Sequence, residues 1–223
     1  RPCRLGPMLN PPDEYYRYDR PEMLPFVPSA ARSLLEVGCG EGAFLGMLAA
    51  ERPEIVTRGI ELNDAAATIG RDHGLDITSG AFPDVVDRST RFDVIMFNDV
   101  LEHIADPWAA LDTTRELLTP GGAVVVSLPN IRHLDTIHEI VVKGDFRYRE
   151  QGVLDVTHLR FFTMSSARRM FEETGYVVDA VTGIKPLKPT KRRLPFFAAA
   201  SVLAPSFRRE SLFRQFVVQA RTR

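Results

Sequence analysis

Short apolar runs alternate with amphipathic stretches along most of the chain, which predicts a largely parallel sheet joined by helices. Residues 33–37 form a brief apolar run that ends at a glycine, as is typical of a buried strand. Residues 94–97 are wholly apolar, as expected for a central strand covered on both faces. The pattern predicts five further strands, at 55–62, 76–79, 123–128, 176–183 and 213–220.

Helix boundaries follow from the capping residues and glycines that lie between these strands. Asp64 and Asp106 precede amphipathic stretches, and we expect each side chain to accept hydrogen bonds from the first helical N–H groups. Gly175 is expected to end the last helix of the core. The expected helices cover 43–50, 64–73, 107–118, 133–142 and 163–174, with a shorter one at 22–27.

The overall composition is that of an ordinary globular protein. A length of 223 residues suits one α/β domain, and 44% hydrophobic and 26% charged residues are typical of a soluble one. Cys3 and Cys39 lie far apart in unlike contexts, so no disulfide framework is implied. No stretch resembles a signal peptide or reaches the ~18 apolar residues of a membrane span, so we expect a cytoplasmic location.

Charge is distributed unevenly along the chain. Residues 185–223 contain ten Lys and Arg and one acid, whereas residues 1–184 contain 18 basic and 28 acidic residues. The basic end suits phosphate-bearing substrates, nucleic acid or a membrane surface, and it equally suits a solvated surface. Its apolar stretch 194–203 is too short to span a membrane. We expect a helix packed on the domain or on a partner subunit, with membrane-surface contact and lining of an acceptor pocket as the alternatives.

A glycine-rich turn follows the first predicted strand. Gly38, Gly40 and Gly42 stand between that strand and a helix, an arrangement that offers backbone N–H groups to a nucleotide. Glycine spacing alone also fits a nicotinamide or flavin site. Glu36, just before the first glycine, would repel a pyrophosphate but would suit an ammonium or sulfonium group. The pattern therefore favours S-adenosylmethionine over NAD.

The end of the second predicted strand carries a further carboxylate. Glu61 lies 23 residues beyond Gly38, at the spacing of the acid that binds ribose hydroxyls in nucleotide-binding units. We expect Glu61 to bind the ribose and Leu62 to lie beside the adenine. Two compatible signals at this spacing are far more specific than either one alone.

Residues 36–42 (Glu-Val-Gly-Cys-Gly-Glu-Gly) closely resemble motif I of the class I S-adenosylmethionine-dependent methyltransferases, and residues 98–103 (Asn-Asp-Val-Leu-Glu-His) resemble their motif IV. The family usually places an Asp that reads adenine in the loop at 80–83, where this chain has Ala81 and Phe82 instead. The resemblance covers about residues 15–184. It implies cofactor contacts from Glu36, Gly38, Cys39, Gly40, Gly42, Phe44, Glu61, Leu62, Ala81, Phe82, Asn98, Asp99, Val100 and His103.

The same resemblance implies a Rossmann-like α/β fold. Its seven-stranded sheet has the order 3-2-1-4-5-7-6, with helices on both faces and a terminal antiparallel hairpin. We expect an N-terminal arm and cap at 1–28 and a methyltransferase domain at 29–223. Within that domain, an acceptor-side insertion covers about 131–162, and a long basic and apolar connection covers about 185–212.

Two further segments resemble one subgroup of these enzymes. Residues 127–133 (Ser-Leu-Pro-Asn-x-x-His) and 154–163 (Leu-Asp-x-Thr-His-Leu-Arg-Phe-Phe-Thr) are similar to members associated with sugar and polysaccharide biosynthesis. This resemblance implies O-methylation of a sugar or glycan hydroxyl. We expect Tyr16, Arg20, Asn130 and Arg160 to bind the acceptor.

A hydroxyl is a poor nucleophile until its proton begins to leave, and a neutral histidine is the usual base. His158 is the first candidate, with Asp155 as the carboxylate that orients it. His133 is the second candidate, and His103 is expected near the cofactor or acceptor. Most of the rate enhancement would come from aligning the acceptor oxygen and the methyl group within ~3–3.5 Å.

We expect no metal ion, because the available aspartates show no convincing ligand spacing. Those aspartates are Asp99, Asp106, Asp135 and Asp155. Three alternatives stay open at this point: an RNA or protein acceptor, a cofactor-binding protein without catalysis, and a dehydrogenase. Nucleic acid is the less expected partner, since aromatic and basic residues are not interleaved, and the oligomeric state is left open.

Overall fold

The computed structural model describes residues 16–191 and 193–222, which contain one seven-stranded sheet. The expected N-terminal arm at 1–14, with Cys3, lies outside the described residues. The strands are β1 (Ser33–Val37), β2 (Val56–Glu61), β3 (Ile77–Ser79), β4 (Phe92–Asn98), β5 (Leu118–Pro129), β6 (Tyr176–Pro186) and β7 (Phe213–Thr222). The α-helices are α1 (Ala43–Glu51), α2 (Asp64–Asp72), α3 (Pro107–Leu117), α4 (Leu134–Lys143), α5 (Met164–Glu173), α6 (Leu194–Leu203) and α7 (Pro205–Glu210).

The strand order is β3-β2-β1-β4-β5-β7-β6, which confirms the predicted topology. Strands β1 to β5 pair in parallel, whereas β7 runs antiparallel to both β5 and β6. The carboxyl ends of β1, β2, β4 and β5 therefore meet at one edge of the sheet. In open α/β sheets this is the edge where ligands bind.

Both faces of the sheet are covered, because successive side chains of a strand point to opposite sides. Leu35, Ile95 and Phe97 pack into one hydrophobic cluster with residues of α3 and α5. Leu34 and Met96 pack into a second cluster with residues of α1. Burial on both sides explains why the central strands read as continuous apolar runs.

Two of the differences from the expected element boundaries have a clear physical cause. The cap of α2 is Asn63 rather than Asp64, since its Oδ1 accepts from the N–H groups of Ala65 and Ala66 at 3.0 and 3.3 Å. Adjacent Asn and Asp are equally good caps, so the sequence pattern could not choose between them. Strand β5 begins earlier than expected, because residues 119–122 form a bulge against β4 and Leu118 still pairs with Phe92.

The long connection at 185–212 folds as the helices α6 and α7, which pack on the domain as expected. Arg132 at the end of β5 pairs with Glu210 of α7 at 2.7 Å. His138 of α4 lies edge-on to Phe196 of α6, with ring centroids 5.4 Å apart. Among the described residues, no helix has both the length and the apolar character needed to cross a membrane.

Candidate active site

The glycine loop closes tightly at the carboxyl end of β1. Gly38 and Gly40 have φ values of 71° and 57°, in the left-handed region that favours glycine. A Cβ on Gly40 would lie 2.5 Å from the main-chain oxygen of Tyr16. Tyr16 also accepts a hydrogen bond from the Glu41 N–H at 2.9 Å, so the segment before the first strand lies directly against the loop.

Glu61 lies at the tip of β2 and is held by two main-chain donors. Its Oε2 accepts from the Gly40 N–H and its Oε1 from the Asn63 N–H, both at 2.8 Å. Each carboxylate oxygen keeps a further acceptor site after these bonds. The predicted contact with ribose stays a prediction, and the carboxylate is already fixed in orientation.

Glu36 of β1 is buried beside β4. Its Oε1 accepts from the Asn98 side-chain amide at 2.7 Å, whereas its Oε2 has no hydrogen-bond partner among the described residues. Burial raises the pKa of Glu36 to about 8, and the Asn98 hydrogen bond only partly opposes this. Glu36 is therefore mostly protonated near neutral pH, and a nearby ammonium group would favour its charged form.

Asp99 follows β4 and is surrounded by groups of the protein. Its carboxylate accepts from Arg20 at 2.6 Å, from the Ser127 hydroxyl at 2.9 Å and from Gln215. Its contact with the cofactor stays a prediction, and only the lone pairs that these three bonds leave free could take part in it.

Arg20 does not have the predicted role at the acceptor. Its three guanidinium nitrogens bond Glu22, Asp99 and Ser127, and the side chain is buried. Burial lowers the pKa of Arg20, but Asp99 and Glu22 more than offset this and the net shift is upward. Arg20 therefore ties the segment before β1 to the sheet edge, which corrects the prediction that it binds substrate.

Two predicted cofactor residues belong to the core. The Phe44 side chain is fully buried in the cluster beneath α1, so its cofactor contact stays a prediction and is limited to main-chain atoms. Phe82 packs edge-on to Phe97 with ring centroids 5.6 Å apart, so its ring is part of the core, and its cofactor contact stays a prediction.

The remaining cofactor candidates differ in exposure. Cys39 is buried, and burial raises the pKa of its thiol above the usual range, which leaves it unreactive. Val100 lies over the loop, since a Cβ on Gly38 would come within 2.5 Å of its Cγ2. Leu62 and Ala81 are exposed. Their contacts with the cofactor, like that of the buried Gly42, stay predictions.

His103 and His158 form a pair on the acceptor side, with ring centroids 4.9 Å apart in an edge-to-face arrangement. The Nδ1 of His158 lies 3.2 Å from the Val153 carbonyl, and that of His103 lies 3.3 Å from the Thr157 carbonyl. Because a carbonyl only accepts hydrogen bonds, the Nδ1 atom of each ring carries the hydrogen. The Nε2 atom of each neutral ring then carries no hydrogen and has a free lone pair. Burial lowers the pKa of both rings, so both are neutral at physiological pH.

Glu102 is the residue that the sequence reasoning missed. It is 1% exposed, and neither carboxylate oxygen has a hydrogen-bond partner among the described residues. Its Oε1 lies 3.9 Å from the His158 Nε2. Burial, with Asp99 adding to it, raises the pKa of Glu102 well above its usual value. Its position directly before His103, in a short 3-10 helix after β4, was the available signal.

Asp155 does not orient His158 as predicted. Its Oδ1 accepts from the N–H and hydroxyl of Thr157 at 2.8 and 2.6 Å, so it shapes the loop. The carboxylate that approaches His158 is Glu102, on a different element. The prediction that Asp155 orients His158 is therefore corrected, because the Asp155 carboxylate forms its hydrogen bonds within its own turn.

His133 lies in a different environment from the histidine pair. It is buried and lines a polar cavity of about 210 Å³ together with Arg193 and Arg214. Burial, then Arg214 and Arg193, lower its pKa to about 4. His133 is thus neutral, and the groups that act on its charge are the cations Arg214 and Arg193.

The other predicted acceptor residues have structural contacts. Asn130 is fully buried, and its amide donates to the carbonyls of Glu210 and Phe213 while accepting from the Arg132 N–H. A role in acceptor binding is therefore wrong for Asn130. Arg160 is exposed and donates to the Ala105 carbonyl at 2.6 Å. The acceptor contacts of Arg160 and Tyr16 stay predictions.

The sequence profile of a family described as "Methyltransferase domain" matches residues 13–181. The chain belongs to the methyltransferase domain family. S-adenosylmethionine is therefore its cofactor, and the orphaned Glu36 Oε2 and the oriented Glu61 fit the ammonium and ribose of that molecule.

Individual relatives agree with this membership. A ubiquinone biosynthesis O-methyltransferase of Cereibacter sphaeroides is 32% identical over 135 residues, which cover 58% of this chain and 53% of the relative. A protein of the same name from Aliivibrio fischeri is 25% identical over 170 residues, which cover 71% of this chain and 70% of the relative. The chain thus spans about half the length of the first relative. A solved methyltransferase structure from Archaeoglobus fulgidus shares the fold, with a TM-score of 0.62 and 16% identity. The match covers 90% of this chain and 91% of the Archaeoglobus chain.

Proposed function

We propose that this methyltransferase acts on a hydroxyl oxygen of a small-molecule acceptor. The observation that carries the proposal is the neutral His103–His158 pair, which lies on the turn after β4 and the loop at 153–161. The relatives named above are O-methyltransferases, which supports oxygen as the acceptor atom. When bound, S-adenosylmethionine supplies an electrophilic methyl group that needs no acid to activate it.

The residues of the sheet edge would hold the cofactor. Glu61 would accept hydrogen bonds from the ribose hydroxyls, since its two oxygens are already oriented by main-chain donors. Glu36 would pair with the ammonium of the methionyl part, since its Oε2 is buried and has no hydrogen-bond donor among the described residues.

The histidine pair would assist the acceptor. With Nδ1–H bonded to a carbonyl, the Nε2 of His158 or His103 is bare and can take the hydroxyl proton. The lowered pKa of both rings keeps them in the proton-accepting form at neutral pH.

An aromatic wall next to this pair suits a ring-shaped acceptor. Phe161 lies 6.1 Å from His158 and 5.5 Å from Phe146, and Tyr148 stands beside Phe146 at 5.4 Å, all measured between ring centroids. Phe146 and Tyr148 are exposed, so their faces are open to a ligand. Aromatic faces stack on flat rings and also cover the apolar faces of sugars.

Two classes of acceptor are compatible with this aromatic wall. The relatives, named for ubiquinone biosynthesis, favour an aromatic hydroxyl of a quinone precursor. The resemblance of residues 127–133 and 154–163 to sugar-modifying enzymes favours a sugar or glycan hydroxyl as the second candidate. An RNA or protein acceptor has only the basic C-terminal region in its favour.

Methyl-labelled S-adenosylmethionine offered to matched panels of phenols and catechols, free and nucleotide sugars, and RNA would test the proposal. We expect a labelled methyl ether from one of the first two panels. The His158→Asn variant should lower kcat at least ~100-fold without weakening cofactor binding. His73→Asn, exposed beyond α2, is the matched control and should have no effect. Labelling of RNA alone, or tight cofactor binding with no transfer, would overturn the proposal.

A further inference from the structure

Glu102, His103 and His158 bring three potential metal-ligand atoms together, all within 4.8 Å of one another. The Glu102 Oε1 and His158 Nε2 are 3.9 Å apart, which is too long for a hydrogen bond. A divalent ion holds nitrogen and oxygen ligands at ~2.0–2.2 Å, so two ligands of one ion lie at most ~4.4 Å apart. The gap between these side chains therefore has the size of a metal site after small rotations.

Burial of an unpaired carboxylate needs a compensating positive charge or a proton. Glu102 is 1% exposed and both of its oxygens lack hydrogen-bond partners among the described residues. Removing such a group from water costs several kcal/mol when nothing compensates it. The electrostatic neighbours of Glu102 include two more acids, Asp99 and Asp155, and the cation Arg20, whose side chain already pairs with Asp99.

Both histidines are arranged as metal ligands usually are. A ligating imidazole typically donates its other N–H to a carbonyl or carboxylate, which fixes the ring and its tautomer. His158 has such a partner in the Val153 carbonyl and His103 in the Thr157 carbonyl. The Thr157 hydroxyl donates to Asp155, so it too can only accept from His103. These contacts leave the Nε2 lone pair of each ring free for an ion.

We propose that Glu102, His103 and His158 bind a divalent transition-metal ion, for which Zn²⁺ is the best match. Two imidazoles and one carboxylate form a donor set that zinc uses in catalytic sites, where a further position stays open. Glu102 and His103 stand on the turn after β4, a few residues beyond Asn98 and Asp99 of the cofactor edge, whereas His158 belongs to the loop at 153–161. An ion bound by all three would therefore connect the cofactor edge with this loop.

The inference rests on the proposed O-methylation and changes how the acceptor hydroxyl is activated, because a metal ion takes the place of the histidine base. An acceptor hydroxyl oxygen in the open position would be oriented by the ion and made more acidic, and its proton would pass to solvent. The two Nε2 atoms would then hold the ion and would no longer act as bases. An aromatic hydroxyl or a sugar hydroxyl would be bound by the same chemistry.

The test uses metal-free protein without an affinity tag, titrated with Zn²⁺, Mn²⁺ and Mg²⁺ by calorimetry and with Co²⁺ by visible absorption. We expect calorimetry to show one Zn²⁺ bound per chain. We expect bound Co²⁺ to show visible absorption bands typical of an ion with few ligands, all nitrogen or oxygen. Glu102→Gln and His158→Gln should each weaken Zn²⁺ binding at least ~100-fold, since loss of an outer-shell partner alone costs 10–100-fold. His73→Gln should bind as the unaltered protein does, and cofactor affinity, measured on every variant, reports that the fold is kept.

Two outcomes would overturn the inference. One is the absence of stoichiometric binding of Zn²⁺, Mn²⁺ or Mg²⁺ to the unaltered protein. The other is unchanged Zn²⁺ binding by Glu102→Gln, which would place the ion elsewhere. Methyl transfer by metal-free protein at the full rate would also refute the catalytic part of the inference while leaving O-methylation intact. Failure of the proposed function itself would show as no transfer with or without metal.

Discussion

The cofactor edge and the acceptor side of this methyltransferase are built in different ways. At the cofactor edge, each functional side chain stands at the end of a strand and bonds to a neighbouring strand or loop. Glu36 is bonded to Asn98, and Glu61 to the Gly40 N–H. On the acceptor side, the functional groups come from the turn after β4 and from the loop at 153–161, which meet only in the folded chain.

The difference lies in what fixes the side chains. Parallel strands align their carboxyl ends, so the local sequence of each strand predicts where its last residues lie. The acceptor loop instead depends on main-chain contacts such as those from the Leu159 and Arg160 N–H groups to the Glu102 carbonyl. Five predictions test whether the cofactor edge is the rigid and sensitive region.

The largest effect is expected at the Arg20–Asp99 pair. Arg20→Met would leave the Asp99 carboxylate without its cation, and breaking a buried pair by removing one partner costs about 3 kcal/mol or more. Arg17→Met is the control, since Arg17 forms an exposed pair with Glu41 that is worth about 1 kcal/mol at most. Chemical denaturation measures both. Equal losses for the two variants would contradict a special role of the buried pair.

The next largest effect concerns cofactor affinity. Glu61→Gln would turn one acceptor of Glu61 into a donor that faces the Gly40 or Asn63 N–H. The hydrogen bonds from the ribose hydroxyls to the charged Glu61 would be lost, and each such bond contributes ~1.5–3 kcal/mol. Calorimetry should therefore show S-adenosylmethionine binding weakened ~100-fold. Glu41→Gln is the control, because the Glu41 carboxylate pairs with Arg17, and it should leave the affinity unchanged. Similar affinities for both variants would remove Glu61 from the cofactor site.

A proton should be released when the cofactor binds. The pKa of Glu36 is about 8 because of burial, so Glu36 is mostly protonated at pH 7, and an arriving ammonium would ionise it. Calorimetry in buffers of different ionisation enthalpy should then show release of nearly one proton at pH 7, and none in Glu36→Gln. Equal enthalpies in all buffers would show that Glu36 does not change its charge.

The same group should affect the stability of the cofactor-free protein. The folded pKa of Glu36 lies above the value of about 4.5 for the unfolded chain, so its contribution is fully present below pH ~4.5. That contribution declines as pH rises toward 8, and Glu36→Gln should flatten this part of the profile of unfolding free energy against pH.

The smallest effect is expected on the exposed face of α6, away from the cofactor edge. Val202 and Leu203 of α6 are 81% and 87% exposed, so replacing both by serine should change the free energy of unfolding by less than ~0.5 kcal/mol. Phe207→Ala is the contrast, because Phe207 is buried against Phe196 and Phe197 and should cost several times more. A large loss from the serine pair would show that α6 is covered by another surface in solution.

The fold could be predicted almost entirely from local patterns. The apolar runs at 33–37 and 94–97 placed β1 and β4 because strands buried on both faces need continuous apolar residues. Asp106 and Thr163 cap their helices as their chemistry requires. Asn63 was missed as the cap of α2 because neighbouring Asn and Asp cap equally well.

The site could be predicted only in part. Arg20 and Asn130 were expected at the acceptor because polar groups near the ligand edge resemble binding groups. The structure instead satisfies both internally, through Asp99 and through the carbonyls of Glu210 and Phe213. Such long-range partners cannot be read from spacing along the chain.

The sequence by itself determined the positions of the strands, the glycine loop and the carboxylates at 36 and 61, because each depends on residues close together in the chain. The strand order followed from the resemblance to the family. Only the tertiary structure brought Glu102 and His103 together with His158, 55 residues later along the chain. It also showed that Glu102 is buried without a partner. Side-chain convergence of this kind depends on how a loop packs against the sheet edge, and no local pattern encodes that distance.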